Sequence, residues 1–375
     1  MALSPVLITV PSLLREFGGP VTKARGLADS LRTIGYPVIV VGVGSAPDTL
    51  GLPQLLRFHG TPVPARLGPL SRLILEAKVV HIVGYRDPLG TAAALIARRA
   101  RVPYVLEPAG MHRRRIRSLA LKAAFDRLLG ARVVQHAGLI VATSKLEAGE
   151  LEEDGIPPQR IRVRPNGIDT EGLLPLPSRG LLRRKLNFPS DAPVVLSLGR
   201  ITAKKGLLHF VEALATLSGV WGIVAGPDGK DGTLDRLVAE RARLGLTERL
   251  AVLPEGLWGL DRAQAFADAD AFCLPSATEN FGNSAIEAAA IGIPVVISSS
   301  CGGAEWLDSE STRVVPYGDV ALLATAIGEV IQDPKARAAA KALAPGLRQA
   351  LDWEVVARKQ VEIYKAVVAG QFTVS

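Results

Sequence analysis

The sequence predicts an α/β protein of two doubly wound, parallel-sheet, Rossmann-like domains facing each other across a cleft. Three observations carry this. Short apolar runs alternate with helical stretches, an order that packs as a parallel sheet with helices on both faces. The alternation breaks at the proline- and leucine-rich Leu173-Leu174-Pro175-Leu176-Pro177, read as a linker, and then restarts. A chain of 375 residues also exceeds one ordinary core. The expected domains are 1–168 and 169–353.

In the first domain the expected strands are 6–10, 37–43, 79–83, 103–106 and 139–142. Pro20, at the first turn of a helix after Gly18-Gly19, suits its fixed φ. A helix over 89–100 precedes the fourth strand, and the loop Glu107-Pro108-Ala109-Gly110-Met111-His112 follows it. Arg164-Pro165-Asn166-Gly167-Ile168-Asp169 reads as a turn cluster. The second domain repeats the pattern with strands at 194–198, 221–225, 250–253, 271–274, 295–298 and 313–315. Helices at 321–331, 335–351 and 355–368 close the chain.

The stretch Ser276 to Glu287 stands at a strand-to-helix turn. Gly282-Asn283-Ser284 opens the helix, whose amides and dipole favour phosphate, while Glu279 and Glu287 can accept from hydroxyls. A ligand carrying both sugar hydroxyls and phosphates fits. Arg200 and Lys205, on the loop after strand 194–198, add a planar fork and a point charge for a diphosphate. Paired Gly18-Gly19 would let backbone approach such a group.

Composition narrows the classes. A hydrophobic share of 48% and a mean hydropathy of +0.25 indicate a fully folded chain. No run reaches the roughly 18 apolar residues of a membrane span, and the opening residues show no charged region or cleavage site of a signal peptide. Cys273 and Cys301 make no disulfide framework and point to a reducing, cytoplasmic setting. The net charge of +8 is uneven: residues 1–170 carry +10 and the remainder −2. The excess gathers in Arg98–Arg101 and Arg113–Arg117, which reads either as a face for an anionic membrane surface or acidic substrate, or as a solvated helix face. Asp268-Ala269-Asp270 matches a metal-binding spacing but reads as structural at the start of a buried strand. The five histidines lack zinc spacing, so no zinc site is expected. His112 alone lies in a loop expected to face the cleft. Gly42-Val43-Gly44 lacks the third glycine of a dinucleotide fingerprint.

Glu279, seven residues and Glu287 together resemble the E-x7-E motif of the GT-B-fold retaining glycosyltransferases, family GT4. Leu274-Pro275-Ser276, Glu279-Asn280-Phe281-Gly282, Leu198-Gly199-Arg200, Lys205-Gly206 and Pro165-Asn166-Gly167 extend the resemblance over most of the chain. It implies a nucleotide-sugar donor and a glycan or lipid-linked acceptor, in cell-surface polysaccharide or lipopolysaccharide assembly. Arg200 and Lys205 would hold the departing diphosphate, with Gly18 and Gly19 approaching it. Glu279, with the backbone of Asn280, Phe281, Gly282 and Asn283, would meet the sugar, and Glu287 the ribose. Gly226 and Leu253 would lie near the base, Asn166 would belong to the donor set, and His112 would be a catalytic candidate. The family usually needs no metal. A C-terminal helix at 354–370, entered through Trp353, would cross back onto the first domain. In place of the family's Pro-Arg-Gly-Met subgroup loop the chain has Pro108-Ala109-Gly110-Met111. Trp258-Gly259 with Asp261-Arg262 also resembles that subgroup. The rival readings are a nucleotide-sugar epimerase of the same architecture and a non-catalytic basic binding protein; no nucleic-acid module is visible.

Overall fold

In the computed structural model, which describes residues 4–14, 18–58, 61–113, 123–170 and 172–370, the apolar runs become strands whose successive side chains feed two cores, one on each sheet face. The chain divides into two units, Met1–Gly167 with Asp352–Ser375, and Ile168–Leu351.

The first unit holds β1 (Val6–Ser12), β2 (Val38–Val43), β3 (Leu50–Leu52), β4 (Gln54–Phe58), β5 (Thr61–Pro64), β6 (Val79–Val83), β7 (Tyr104–Glu107), β8 (Leu139–Ala142) and β9 (Ile161–Val163). Its seven-stranded sheet has the order β3-β2-β1-β6-β7-β8-β9, parallel throughout. Strand order reverses direction between β1 and β6, which makes their carboxyl ends the switch point. Leu7, Val80, Ile82, Leu106 and Ile140 fill one face. Val6, Ile8, Val79, Val105 and Leu139 fill the other, where Ala357, Val361 and Tyr364 of the C-terminal helix Trp353–Val368 pack with them. The Trp353 ring lies where a Cβ on Gly26 or Gly167 would stand, so these glycines admit the helix entry.

Several elements exceed the expectation. The antiparallel strand pair β4–β5 and the helix Gly68–Glu76 lie in a proline-rich stretch whose short segments show no clear period. The helix Lys145–Glu153 carries a legible start signal, since the Ser144 hydroxyl accepts from the Glu147 amide at 3.1 Å. Two expectations are corrected. Leu173, read as linker, is 4% exposed inside the second unit's core. Glu107, read as the first loop residue, ends β7 fully buried. There its carboxylate accepts from Lys23 at 2.5 Å, from Arg164, and pairs with His81 at 3.0 Å.

The second unit holds β10 (Val194–Leu198), β11 (Trp221–Ala225), β12 (Leu250–Leu253), β13 (Ala271–Leu274), β14 (Val295–Ser298) and β15 (Thr312–Val315), in the order β12-β11-β10-β13-β14-β15 and all parallel. Val194, Leu196, Phe272 and Ile297 face one core, and Val195, Val224, Cys273 and Val296 the other. Its switch point falls between β10 and β13. Asp268 and Asp270 have the structural role expected of them: Asp268 accepts from the amides of Gly180 and Arg183, and Asp270 from Arg179, Arg183, Arg337 and the Val194 amide.

Candidate active site

Because the second sheet is parallel, the loops after β10 to β14 leave one edge. Two of them flank the switch point. After β10, Gly199 and exposed Arg200 lead through Ile201 and Thr202 into the short turn Ala203–Lys205 and, across Gly206, into the helix Leu207–Thr216. After β13, Pro275 to Asn280 lead to Phe281 and Gly282. Main-chain contact joins them: the Ala277 amide donates to the Lys204 carbonyl at 2.8 Å. Gly206 is left-handed, φ 65°, and a Cβ there would overlap the Pro275 carbonyl oxygen. Glycine is required on both counts.

Across this join the Lys205 ammonium donates to Glu279 Oε2 at 2.5 Å, with side chains 13% and 20% exposed. Burial pushes the Glu279 carboxyl up, but Lys205 and Lys204 outweigh it and hold the group below its ordinary range. Its backbone is fixed from the other side, since its amide donates to Ser300 and its carbonyl accepts from Gly302. Glu279 is therefore an ionised acceptor on a rigid loop.

Gly282, φ 76°, starts the helix Asn283–Ala290 with no side-chain cap, and Ser284 ties that start to β10 by donating to the Leu198 carbonyl at 3.0 Å. Phe281 is 2% exposed and offers the site only its main chain, while Asn280 and Asn283 are half-buried. The Cys301 thiol donates to the Phe281 carbonyl, and burial pushes it up to about 12, which leaves it an inert packing group. On the other flank, Gly199 donates to Ala225 and Gly226 to Leu253, and a Cβ on Gly226 would overlap the Gly199 carbonyl. The predicted Gly226 and half-buried Leu253 thus join Arg200, Lys205, Glu279, Asn280, Gly282 and Asn283 on one edge.

Glu287 sits one turn into the helix, 9% exposed. Burial raises its carboxyl, opposed by Arg262, which donates to Oε2 from the helix Gly259–Asp268. The sequence reading missed this partner. Asp261-Arg262 was visible as text, but nothing local links it to a residue 25 positions on.

The remaining predicted residues belong to the first unit. Gly18, φ 63°, precedes the helix Gly19–Thr33 after β1, and among the described residues nothing beyond the helix backbone and its chain neighbours stands within 4 Å of a Cβ built on Gly19. Asn166 is buried. His112 pairs with Asp154 at 2.9 Å and stacks on Tyr85, beside a cavity of about 680 Å³ also lined by Arg86, Arg113 and Asp126. Met111, its neighbour, lies 3.4 Å from a Cβ on Gly84, after β6. Arg113 is engaged by Glu153 and Asp154, residues 114–117 of the basic run lie outside the described residues, and Arg98, Arg99 and Arg101 are exposed. Among the described residues no group of three or more His, Cys, Asp or Glu is placed to hold a metal, and no helix is long and apolar enough to cross a membrane.

Residues 178–345 match the family model "Glycosyl transferases group 1", and residues 18–167 match "Glycosyl transferase 4-like domain". The D-inositol 3-phosphate glycosyltransferase of Acidothermus cellulolyticus is 30% identical over 339 residues, 83% of this chain and 74% of that protein. The chain belongs to the group 1 glycosyltransferases. A lipopolysaccharide core biosynthesis glycosyltransferase of Rhizobium meliloti is 34% identical over 157 residues, 41% of this chain and 44% of that one. Anabaena HepE, solved in complex with UDP-glucose, superposes with a TM-score of 0.79 at 20% identity, covering 96% of this chain and 99% of that chain. WaaG, a glycosyltransferase involved in lipopolysaccharide biosynthesis, gives 0.68 at 18%, covering 96% and 99%. This group 1 glycosyltransferase therefore has the GT-B fold, as its sequence resemblance implied.

Proposed function

We propose that the protein is a retaining hexosyltransferase that binds a nucleotide sugar on the second unit and passes the sugar to a hydroxyl of a glycan or lipid-linked acceptor. The observation that carries this reading is the Lys205–Glu279 pair at the switch point, with Arg200 on the same loop. The cations take the donor diphosphate and stabilise it as the bond from the sugar's anomeric carbon to phosphate oxygen breaks. Glu279 accepts from sugar hydroxyls, and the helix start at Gly282 adds amides. The acceptor oxygen bonds to the anomeric carbon on the face the phosphate leaves, and its proton passes to that phosphate, so configuration is kept. Charge compensation comes from side chains, with no metal required.

The relatives' activities guide the choice of substrates. UDP-glucose is the first donor to test, since HepE was solved with it, and inositol phosphate and lipopolysaccharide core fragments are the first acceptors. The first unit takes the acceptor, with His112 as its catalytic candidate, while its Gly18, Gly19 and Asn166 serve the donor. Its exposed Arg98, Arg99 and Arg101 meet anionic lipid where the acceptor is membrane-borne, as a peripheral contact on a cytoplasmic face. Product analysis is the test: free nucleoside diphosphate with an α-linked extended acceptor supports the reading, whereas an isomerised donor formed without acceptor would establish the epimerase instead. Lys205→Ala and Glu279→Ala should each keep the fold and lose transfer.

A further inference from the structure

We propose that Arg262 positions Glu287 for the donor nucleotide: it holds Oε2 of that carboxylate, so that Oε1 accepts from the ribose hydroxyls. The proposal rests on the donor-site reading above.

Glu287 is the one charged residue of Asn283–Ala290, and its neighbours Ala285, Ile286, Ala288, Ala289 and Ala290 are all buried. A carboxylate here costs desolvation, and a buried ion pair is often no more stabilising than an apolar pair of the same volume. Helix packing alone gives no reason for the pair. Its side chains are 27% and 11% exposed, so it retains an open edge. The guanidinium is fixed twice, by Glu287 and by lying over the Phe266 ring, 5.3 Å from its centroid. An arginine so clamped sets the carboxylate's rotation as well as its charge. The other charged groups around the helix do not replace it. Asp169 opposes ionisation of Glu287, and Arg348, from the helix Pro334–Ala350, donates to the Ala290 carbonyl at the far end. An ionised carboxylate has acceptors only, which matches the donors of a ribose diol.

The test is calorimetric binding to the full chain of UDP, GDP and ADP, then of the 2′-deoxy and 3′-deoxy forms of whichever binds tightest. Wild type should lose roughly 10- to 150-fold for at least one deoxy form, the range for a hydrogen bond to a charged group. In Arg262→Met the ribonucleotide should weaken while that deoxy form scarcely moves, so the ratio falls toward one; Arg262→Lys should fall between. If Arg262→Met does not fold, Arg262→Gln is read the same way. Equal weakening of ribo and deoxy forms would make Arg262 a helix clamp and overturn the proposal, as would a wild type indifferent to both hydroxyls. Binding without a change in ratio sinks this inference alone. Failure of all three diphosphates to bind wild type sinks the donor-site reading with it.

Discussion

Glu107→Gln should be among the most destabilising single substitutions in the first unit. The Glu107 carboxylate is wholly buried with Arg164, also wholly buried, and Lys23, 5% exposed. His81 occupies one of its oxygens and hands its other ring nitrogen to the Tyr364 hydroxyl at 2.8 Å, which joins the C-terminal helix to the sheet. Burial pushes the Glu107 carboxyl up, but Arg164 and Lys23 outweigh it and hold it well below its ordinary value. His81 is pushed down by burial, so it sits neutral. Glutamine keeps the shape and removes the charge, leaving two buried cations against a neutral amide. Breaking such a pair costs about 3–5 kcal/mol. Urea unfolding followed by far-UV dichroism would read the loss, with hydrogen exchange at β7 and Trp353–Val368 assigning it to the first unit. In the double variant Lys23→Met, Glu107→Gln, one unpaired cation is gone, so the cost should be about 1–3 kcal/mol less than the two singles summed. A loss below about 1 kcal/mol for Glu107→Gln, or strict additivity, would refute the reasoning.

Four further outcomes follow from the geometry. If Lys205 holds the leaving diphosphate as proposed, Lys205→Ala removes a charged hydrogen bond and should lower kcat/KM at least 10- to 150-fold, roughly the 1.5–3 kcal/mol of such a bond; near-normal turnover of UDP-glucose and the other nucleotide sugars would refute the assignment. Gly206→Ala should lose about 1–2 kcal/mol from the left-handed backbone alone, and more from the Pro275 carbonyl, read as a lower melting temperature. Asp87, buried and accepting from the Gly90 amide, is raised to about 6 by burial, so the native state binds its proton more tightly than the unfolded chain does. Its contribution is therefore full below pH about 4 and lost as pH rises through about 6, so Asp87→Asn should gain stability relative to wild type between pH 4 and 7 in pH-dependent denaturation. Chelation with EDTA should leave transfer unchanged, and a requirement for added Mg²⁺ would overturn the metal-free part of the mechanism.

Much of the fold was legible because strands buried on both faces read as unbroken apolar runs, as at 139–142 and 271–274. The loops of the candidate site were legible because their turns need residues with few substitutes: Gly206, Gly226 and Gly282 all have positive φ beside main chain or packed side chains. The pairings were not legible. Glu107 meets Lys23, His81 and Arg164 at separations of 84, 26 and 57 residues, and Glu287 meets Arg262 at 25, so no local window holds both partners. A local reading therefore names Glu279, Glu287, Arg200 and Lys205 but assigns each to ligand alone. The structure changes that accounting for Lys205. Its ammonium already donates to Glu279, so on the proposed reading a diphosphate must share or displace an existing partner, and any affinity for UDP is net of weakening that pair. On that reading sharing also links the two halves of the donor: as phosphate draws Lys205 away, Glu279 keeps only the weaker influence of Lys204 and becomes a stronger acceptor for the sugar's hydroxyls. A nucleoside diphosphate alone takes the first step without the second, so Glu279→Ala should bind UDP at least as tightly as wild type while losing transfer. Weaker UDP binding in that variant would show that Glu279 orients Lys205 toward the phosphate instead of competing for it.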